Sequence, residues 1–213
     1  LPHATGDGIN MAKKINVKLV NMDHLVVFPG TIIDLKGFPL EINTRLRFAP
    51  RYFTKSIWIN QKGQRFVNEH ADPDQRETSF MKQEELKFFV ILNQSILDEQ
   101  SETDISNWDK KTLKEHINQG GIVASAKNLG ALAEQISVPI ESIKKTIKEY
   151  NEDIRNGRKD PYGRSRERML IEEGPFYAIS VGGSLLTTHG GISINHNMEV
   201  LDERNRVIKG LFA

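Results

Sequence analysis

The 213 residues contain no cysteine, which excludes disulfides, thiolate nucleophiles and cysteine-held metals. Charge of one sign is also missing: 29 basic and 28 acidic residues leave a net charge of +1, with no general pull toward nucleic acid or an anionic membrane surface. No apolar run approaches the roughly 20 residues that span a bilayer, and no signal peptide opens the chain. Cytoplasmic residence is the expectation, and an exported parent without cysteine is compatible with the same counts. The six histidines form no HxH or HExxH pair, so no metal site is expected. Neither a GxSxG elbow nor a GxxxxGK[ST] loop is present, which argues against common hydrolases and triphosphatases.

What is there reads as a globular chain, 38% hydrophobic and 27% charged, long enough for one large domain or two small ones. "GDGINMAKKINVKLV" predicts a helix in which Asp7 caps or occupies the first turn. "HLVVF" and "TIIDL" read as two strands broken by Pro29-Gly30, and "SIWIN" with "QRFVN" as a hairpin turning at Lys62-Gly63. A loop and helix follow in "DPDQRETSFMKQEELKFF", then the buried strand "FFVILN". Helical patterns end at Gly120-Gly121 and at Gly157, the second starting at Pro139 with Ile140, Ile143, Ile147, Tyr150 and Ile154 on one face. "KDPYGRSRERMLIEEGP" reads as a polar loop, its Arg164, Arg166 and Arg168 either solvated or gripping an anion. Five β runs close the chain: "FYAISV", "SLLTT", "GISIN", "EVLD" and "RVIKGLF". The fold class is α+β, helices and hairpins first and strands last.

Two glycine-rich stretches are the candidate binding loops. "TTHGGI" puts a histidine and two glycines after a hydroxyl pair, where backbone can approach a flat ligand; a hairpin turn explains it equally well. "ATGDG" has the same two readings, a helix cap or a helix start that faces a cofactor.

Taken in order, "ATGDGINMA", "IWINQKGQRFVNE" and "FYAISV…TTHGGISIN…EVLDERNRVIKGLFA" resemble the flavoprotein subunits of the fumarate reductase and succinate dehydrogenase superfamily. The nearest likeness is to soluble relatives of flavocytochrome c fumarate reductase, a group that includes 3-ketosteroid dehydrogenases. The resemblance spans almost the whole chain and implies a capping, substrate-closing domain at 31–180. Flanking strips at 1–30 and 181–213 would belong to an FAD-binding domain whose GxGxxG lies elsewhere. The chain is therefore expected to be a fragment, inactive alone and without FAD. Its parent would transfer a hydride between FAD and a small organic substrate. Expected partners are that substrate and the rest of the FAD domain, with a homodimer through the exposed seam as a further expectation. The resemblance implies that Thr5, Gly6 and Asp7, with Thr188, Gly190 and Gly191, lie beside the flavin, and that Arg76 and His189 are the catalytic candidates. It also implies structural roles for Arg65, Glu69 and Arg164. A non-catalytic binding domain sharing the cap fold is the alternative.

The chain departs from the family pattern at telling places. Phe28 or Pro29 stands where fumarate reductases carry a histidine, and "RFAPRYFTK" replaces a Thr-Glu pair. Thr187 stands at another family histidine, with His189 two positions on. Pro73 takes the place of the family arginine, which Arg76 reaches only across three extra residues. The dicarboxylate-binding set is depleted, so a redox reaction other than fumarate reduction is expected.

Overall fold

The run Phe88–Leu92, apolar at every position, becomes a strand with both faces covered. In the computed structural model, which describes residues 5–40, 44–46, 55–99, 103, 105–165 and 168–213, this strand sits inside a five-stranded sheet. The strands in chain order are β1 (Leu19–Val20), β2 (Leu25–Ile32), β3 (Ile57–Asn60), β4 (Lys87–Asn93), β5 (Val123–Ala126), β6 (Phe176–Thr188), β7 (Gly191–Ile192), β8 (Glu199–Leu201) and β9 (Val207–Phe212). The helices are α1 (Asp7–Lys13), α2 (Pro73–Phe80), α3 (Gln94–Glu99), α4 (Lys110–Gln119), α5 (Leu129–Gln135) and α6 (Ile140–Arg155). The main sheet runs in the order β2-β6-β4-β3, and β5 also pairs with β6. β4 aligns Phe88 with Val181 and Val90 with Ile179, antiparallel, while β5 aligns Val123 with Ile179.

Contacts divide the chain into two compact units. The larger is Phe28–Ser184; the smaller combines residues up to Val27 with Leu185–Ala213. The boundary therefore falls inside β2 and inside β6.

The core of the larger unit gathers aromatic rings around Phe88. Trp58 lies 4.7 Å from it and tilted, and Phe66 and Phe80 meet it edge-on at 5.7 Å. Edge-on contacts set the positive ring rim against the negative face, which adds to the roughly 1.5–3 kcal/mol of burying each such side chain. α6 lays Ile143, Ile147 and Tyr150 into this unit, as their spacing predicts. α4 is capped by Asp109, whose side chain accepts from Thr112 N–H, and ends at Gly120 with φ 68°.

Three sequence expectations need correction. Pro29-Gly30 does not break a strand: β2 runs straight through it. β2 ends the strand order, and an outer strand tolerates a residue that cannot donate to a ladder. "FYAISV" and "SLLTT" are one strand, β6; Gly182 leaves room for Ile33, whose Cγ2 would lie 3.1 Å from an added Cβ. "QRFVN" is not a strand beyond one bridge, Ile59 to Arg65, and β3 pairs with β4 instead. The Asn60 carboxamide organises that turn by accepting from Lys62 and Gln64 N–H.

The smaller unit is built differently. α1 starts after Gly6, whose φ of 75° makes it the cap residue, and Asp7 occupies the first turn without a side-chain cap bond. Asp7 thus does not cap its helix. Ala12, Val17 and Val200 form the buried cluster, with Leu19, Ile192, Ile208 and Leu211 packed against it. β1 pairs with β7, and β8 with β9, as two-stranded ladders.

Candidate functional site

The residues expected beside a flat cofactor gather in the smaller unit. β1 and β7 pair so that Val20 stands opposite Gly191 and Leu19 opposite Ile192, and α1 packs on β7. The "HGG" loop is held from both ends. His189 N–H donates to His24 O at 3.0 Å, and an added Cβ on Gly190 would lie 2.5 Å from Asn21 O and 2.6 Å from Met22 Cα. Glycine is required there by close backbone approach. Gly6, Gly8 and Gly191 show the opposite property, with nothing within 4 Å of an added Cβ. Their backbone is open, as it also is at Gly37, Gly120, Gly121, Gly157, Gly163 and Gly210. Thr5, Gly6, Asp7, Thr188 and His189 are all exposed.

Sequence reading missed the turn that seats this loop. Asn21, at φ 53°, begins it, and His24 N–H donates back to Asn21 O at 3.0 Å. The Asp23 carboxylate accepts a 2.9 Å bond from His24 Nδ1. The Asp23 pKa is lowered, first by a backbone hydrogen bond and then by His24. "NMDH" carried the available signal, an asparagine and an aspartate in a polar break between apolar runs.

Arg76 lies in the larger unit, so the catalytic candidates Arg76 and His189 belong to different units. α2 begins at Pro73, which fixes the first turn, and Arg76 follows three residues later. Three residues are nearly one helical turn, so Arg76 stays on the face that Pro73 begins. It is 5% exposed, and burial lowers its pKa against the opposing pull of Asp72.

The larger unit also holds a buried ionic cluster. Arg65 grips Glu69 with Nε at 3.0 Å and Nη2 at 2.8 Å, and Asp160 with Nη1 at 2.7 Å. Arg164 Nη1 reaches Glu69 at 3.1 Å and Ser56 O at 2.7 Å, and Trp58 N–H donates to Glu69. Burial pulls the Arg65 pKa down, but Glu69 and Asp160 outweigh it and hold it above the ordinary arginine value. Burial opposes ionisation of Asp160, and Arg65 reverses that, keeping its pKa below the usual carboxylate value. Tyr150 and Tyr162 face the Arg65 guanidinium at 5.2 and 5.0 Å. Every charge here is matched, and the cluster ties β3 and the loop after α6 together, a holding role rather than a reactive one. Asp160 was missed because it lies 95 residues from Arg65. Arg164 is 1% exposed and bound to Glu69, which excludes the solvated reading of its polar loop and agrees with the structural role the resemblance implies. Arg168 Nη2 donates to Arg158 O, and Arg166 lies outside the described residues.

A cleft of about 640 Å³ beside this cluster is lined by Arg65, Lys145, Tyr150, Asp153, Arg158 and Tyr162 among others. None of the expected site residues lines it. Its rim charges pair with each other, Arg158 with Asp153 at 3.2 Å and Lys145 with Glu149 at 3.8 Å. Among the described residues no group of three metal-ligating side chains occurs, and no helix is long and apolar enough to cross a membrane.

Comparison with known proteins covers the chain from end to end. Residues 1–213 match the family model described as "FAD binding domain". NADH:acrylate oxidoreductase of Vibrio harveyi is 30% identical over 212 residues, 100% of this chain and 20% of that protein. A fumarate reductase (cytochrome) of Shewanella frigidimarina is 26% identical over 212 residues, 100% of this chain and 34% of that one. Among solved structures, 3-ketosteroid delta1-dehydrogenase from Sterolibacterium denitrificans matches with a TM-score of 0.74 at 23% identity, covering 100% of this chain and 41% of its own, a likeness of fold. The chain thus spans a fifth to about a third of the length of these two curated relatives.

Proposed function

The chain belongs to the FAD binding domain family, and we propose from that premise that its parent is an FAD-dependent oxidoreductase acting on a carbon–carbon bond of a small organic substrate. The match of all 213 residues to that family carries this reading. Residues 1–30 and 181–213 are read as strips of the FAD domain, and 31–180 as the cap over the substrate. The compact units support this division, since their boundaries fall at Val27/Phe28 and Ser184/Leu185. When bound, the flavin supplies the hydride chemistry. Thr5, Gly6 and Asp7, with Thr188, Gly190 and Gly191, are assigned to the cofactor's side by the family motifs that contain them. Relatives named for acrylate and fumarate favour substrates with an activated double bond.

His189 and Arg76 are assigned to the substrate. Arg76 would give a proton to the carbon next to the one that receives hydride. Burial makes its guanidinium a stronger acid than a solvated one. The three-residue offset from the family position is absorbed by the helical turn from Pro73 to Arg76. The 213-residue chain alone is assigned no bound FAD and no activity. The test is anaerobic reoxidation of the chemically reduced parent by acrylate, with fumarate expected to serve poorly because Phe28 or Pro29, Thr187 and Pro73 stand at the family's dicarboxylate-binding positions. Arg76→Gln should slow turnover by roughly 10²–10⁴-fold while flavin stays bound. A parent purified without flavin would overturn the reading, and undiminished turnover in the variant would remove Arg76 from it.

A further inference from the structure

The cleft beside the ionic cluster lies wholly within the larger unit and is assembled from three elements. The turn after β3 supplies Gln64 and Arg65, α6 supplies one face, and the loop after α6 supplies Arg158 and Tyr162. Ser142 and Thr146 fasten α6 to the turn, their hydroxyls donating to Lys62 O and Gly63 O. The turn sits so close to the helix that an added Cβ on Gly63, at φ 74°, would lie 2.9 Å from Val138 Cγ1 and 3.0 Å from Ile143 N. Tyr162 ties the loop to the turn by donating its hydroxyl to Arg65 O at 2.6 Å. The walls are therefore fixed by the protein itself. The volume of about 640 Å³ falls within the roughly 300–1,000 Å³ of small-molecule sites.

One group lining this cleft has no structural use. Tyr150 is 3% exposed, and among the described residues its solvent-shielded hydroxyl makes no hydrogen bond. Buried hydroxyls are ordinarily satisfied, so an unpartnered one beside a cleft points to a partner that arrives from outside. The rest of the lining sets the chemistry of that partner. Three cations (Arg65, Lys145 and Arg158) and three carboxylates (Glu149, Glu152 and Asp153) share the walls. Their charges cancel, and each already has an ionic partner, so an ion of either sign meets repulsion as well as attraction. The hydroxyls of Ser142, Thr146 and Tyr162 have spent their protons on backbone carbonyls and retain only lone pairs. Carboxylates likewise only accept. The cleft is thus neutral in sum and rich in acceptors, which suits a ligand that is uncharged and rich in donors.

From this we infer that the cleft binds a small neutral polyol or sugar. Its hydroxyls donate to the accepting walls, and one of them pairs with the Tyr150 hydroxyl, which can donate or accept. The ring of Tyr162, 39% exposed, offers an apolar surface to the carbon-bound side of such a molecule. Binding there is independent of the flavin reading, because no residue assigned to cofactor or substrate lines the cleft.

The experiment is isothermal titration calorimetry of the full parent with glucose, sorbitol and trehalose, beside inorganic phosphate and putrescine as charged probes. At least one neutral probe should bind saturably, and Tyr150→Phe should weaken it roughly tenfold, the worth of one hydrogen bond. The same variant should leave the thermal midpoint of the unliganded parent unchanged, since the hydroxyl it removes has no partner to lose. No saturable binding of the three neutral probes would overturn the inference. Tighter binding of phosphate or putrescine would overturn it in favour of an ionic ligand. Sugar binding untouched by Tyr150→Phe would place the site elsewhere, and a variant that loses stability would show the hydroxyl to be part of the fold; either result would also overturn it.

Discussion

The two compact units use the same alphabet to different ends. The larger buries eight aromatic side chains among its described residues and seals an ionic cluster inside itself. The smaller buries only Ala12, Val17, Val27 and Val200 among its described residues. Of the thirteen large hydrophobic side chains exposed among the described residues, ten lie in the smaller unit, including Met11, Met198 and Phe212. A unit that buries so little and exposes so much is not arranged for water on all sides. The larger unit closes around its own core, whereas the smaller leaves many of its large apolar side chains in solvent. The residues assigned to the cofactor, Thr5, Gly6, Asp7, Thr188, Gly190 and Gly191, all fall in the smaller unit.

The contrast breaks most easily at Glu69. Replacing it with alanine leaves Arg65 and Arg164 buried beside a lost carboxylate, a loss of about 3–5 kcal/mol. Thermal unfolding of the 213-residue chain should show the drop. A loss under about 1 kcal/mol would mean that the cluster is more solvated than its geometry indicates.

Phe88→Ala should cost a similar amount or slightly less, roughly 3–5 kcal/mol, through the cavity left among Trp58, Phe66 and Phe80. Denaturant unfolding measures it. Leu186→Asp in the same chain should change stability by no more than about 0.5 kcal/mol, because the side chain is already in water. Comparable losses for the two would erase the difference between the units.

Acid sharpens the comparison further. Asp160 is held below its ordinary pKa by Arg65, so its contribution is present above the unfolded value of about 3.9. As pH falls below that value toward the folded one, protonation removes it. Stability of the larger unit should decline across that window, and Asp160→Asn should flatten the decline. An unchanged pH profile in the variant would assign the acid sensitivity elsewhere.

The smallest expected effect is local. Gly190→Ala must push backbone at Asn21 and Met22, while Gly191→Ala meets open space. Amide exchange at His189 and His24 should quicken in the first variant and stay unchanged in the second. Equal behaviour would mean that the loop is not clamped.

Much of the larger unit was legible because local pattern and burial agree there. Ile143, Ile147 and Tyr150 announce the inner face of α6, and Phe88–Leu92 announces a covered strand. Pro29 misled because a breaker's effect depends on a strand's place in the sheet, which local sequence does not record. Arg164 was legible as structural only through the family motif, because its partners, Glu69 and Ser56, lie 95 and 108 residues away. Asp160 was hidden for the same reason. The candidate cofactor residues are legible through ordered family motifs rather than through spacing, and the Asn21–His24 turn that holds the His189–Gly190 loop needed coordinates. Arg76 was readable as a candidate, but its burial and its helical turn from Pro73 needed coordinates. The "RFAPRYFTK" segment lies, for residues 47–54, outside the described residues.

The absorption spectrum of the purified parent tests the central claim most directly, recorded beside that of the 213-residue chain mixed with FAD. The account predicts a stoichiometric flavin band in the parent, a sharply reduced band in its Gly190→Ala variant, and none bound to the chain. A colourless parent, or a chain that holds FAD stoichiometrically by itself, would contradict it.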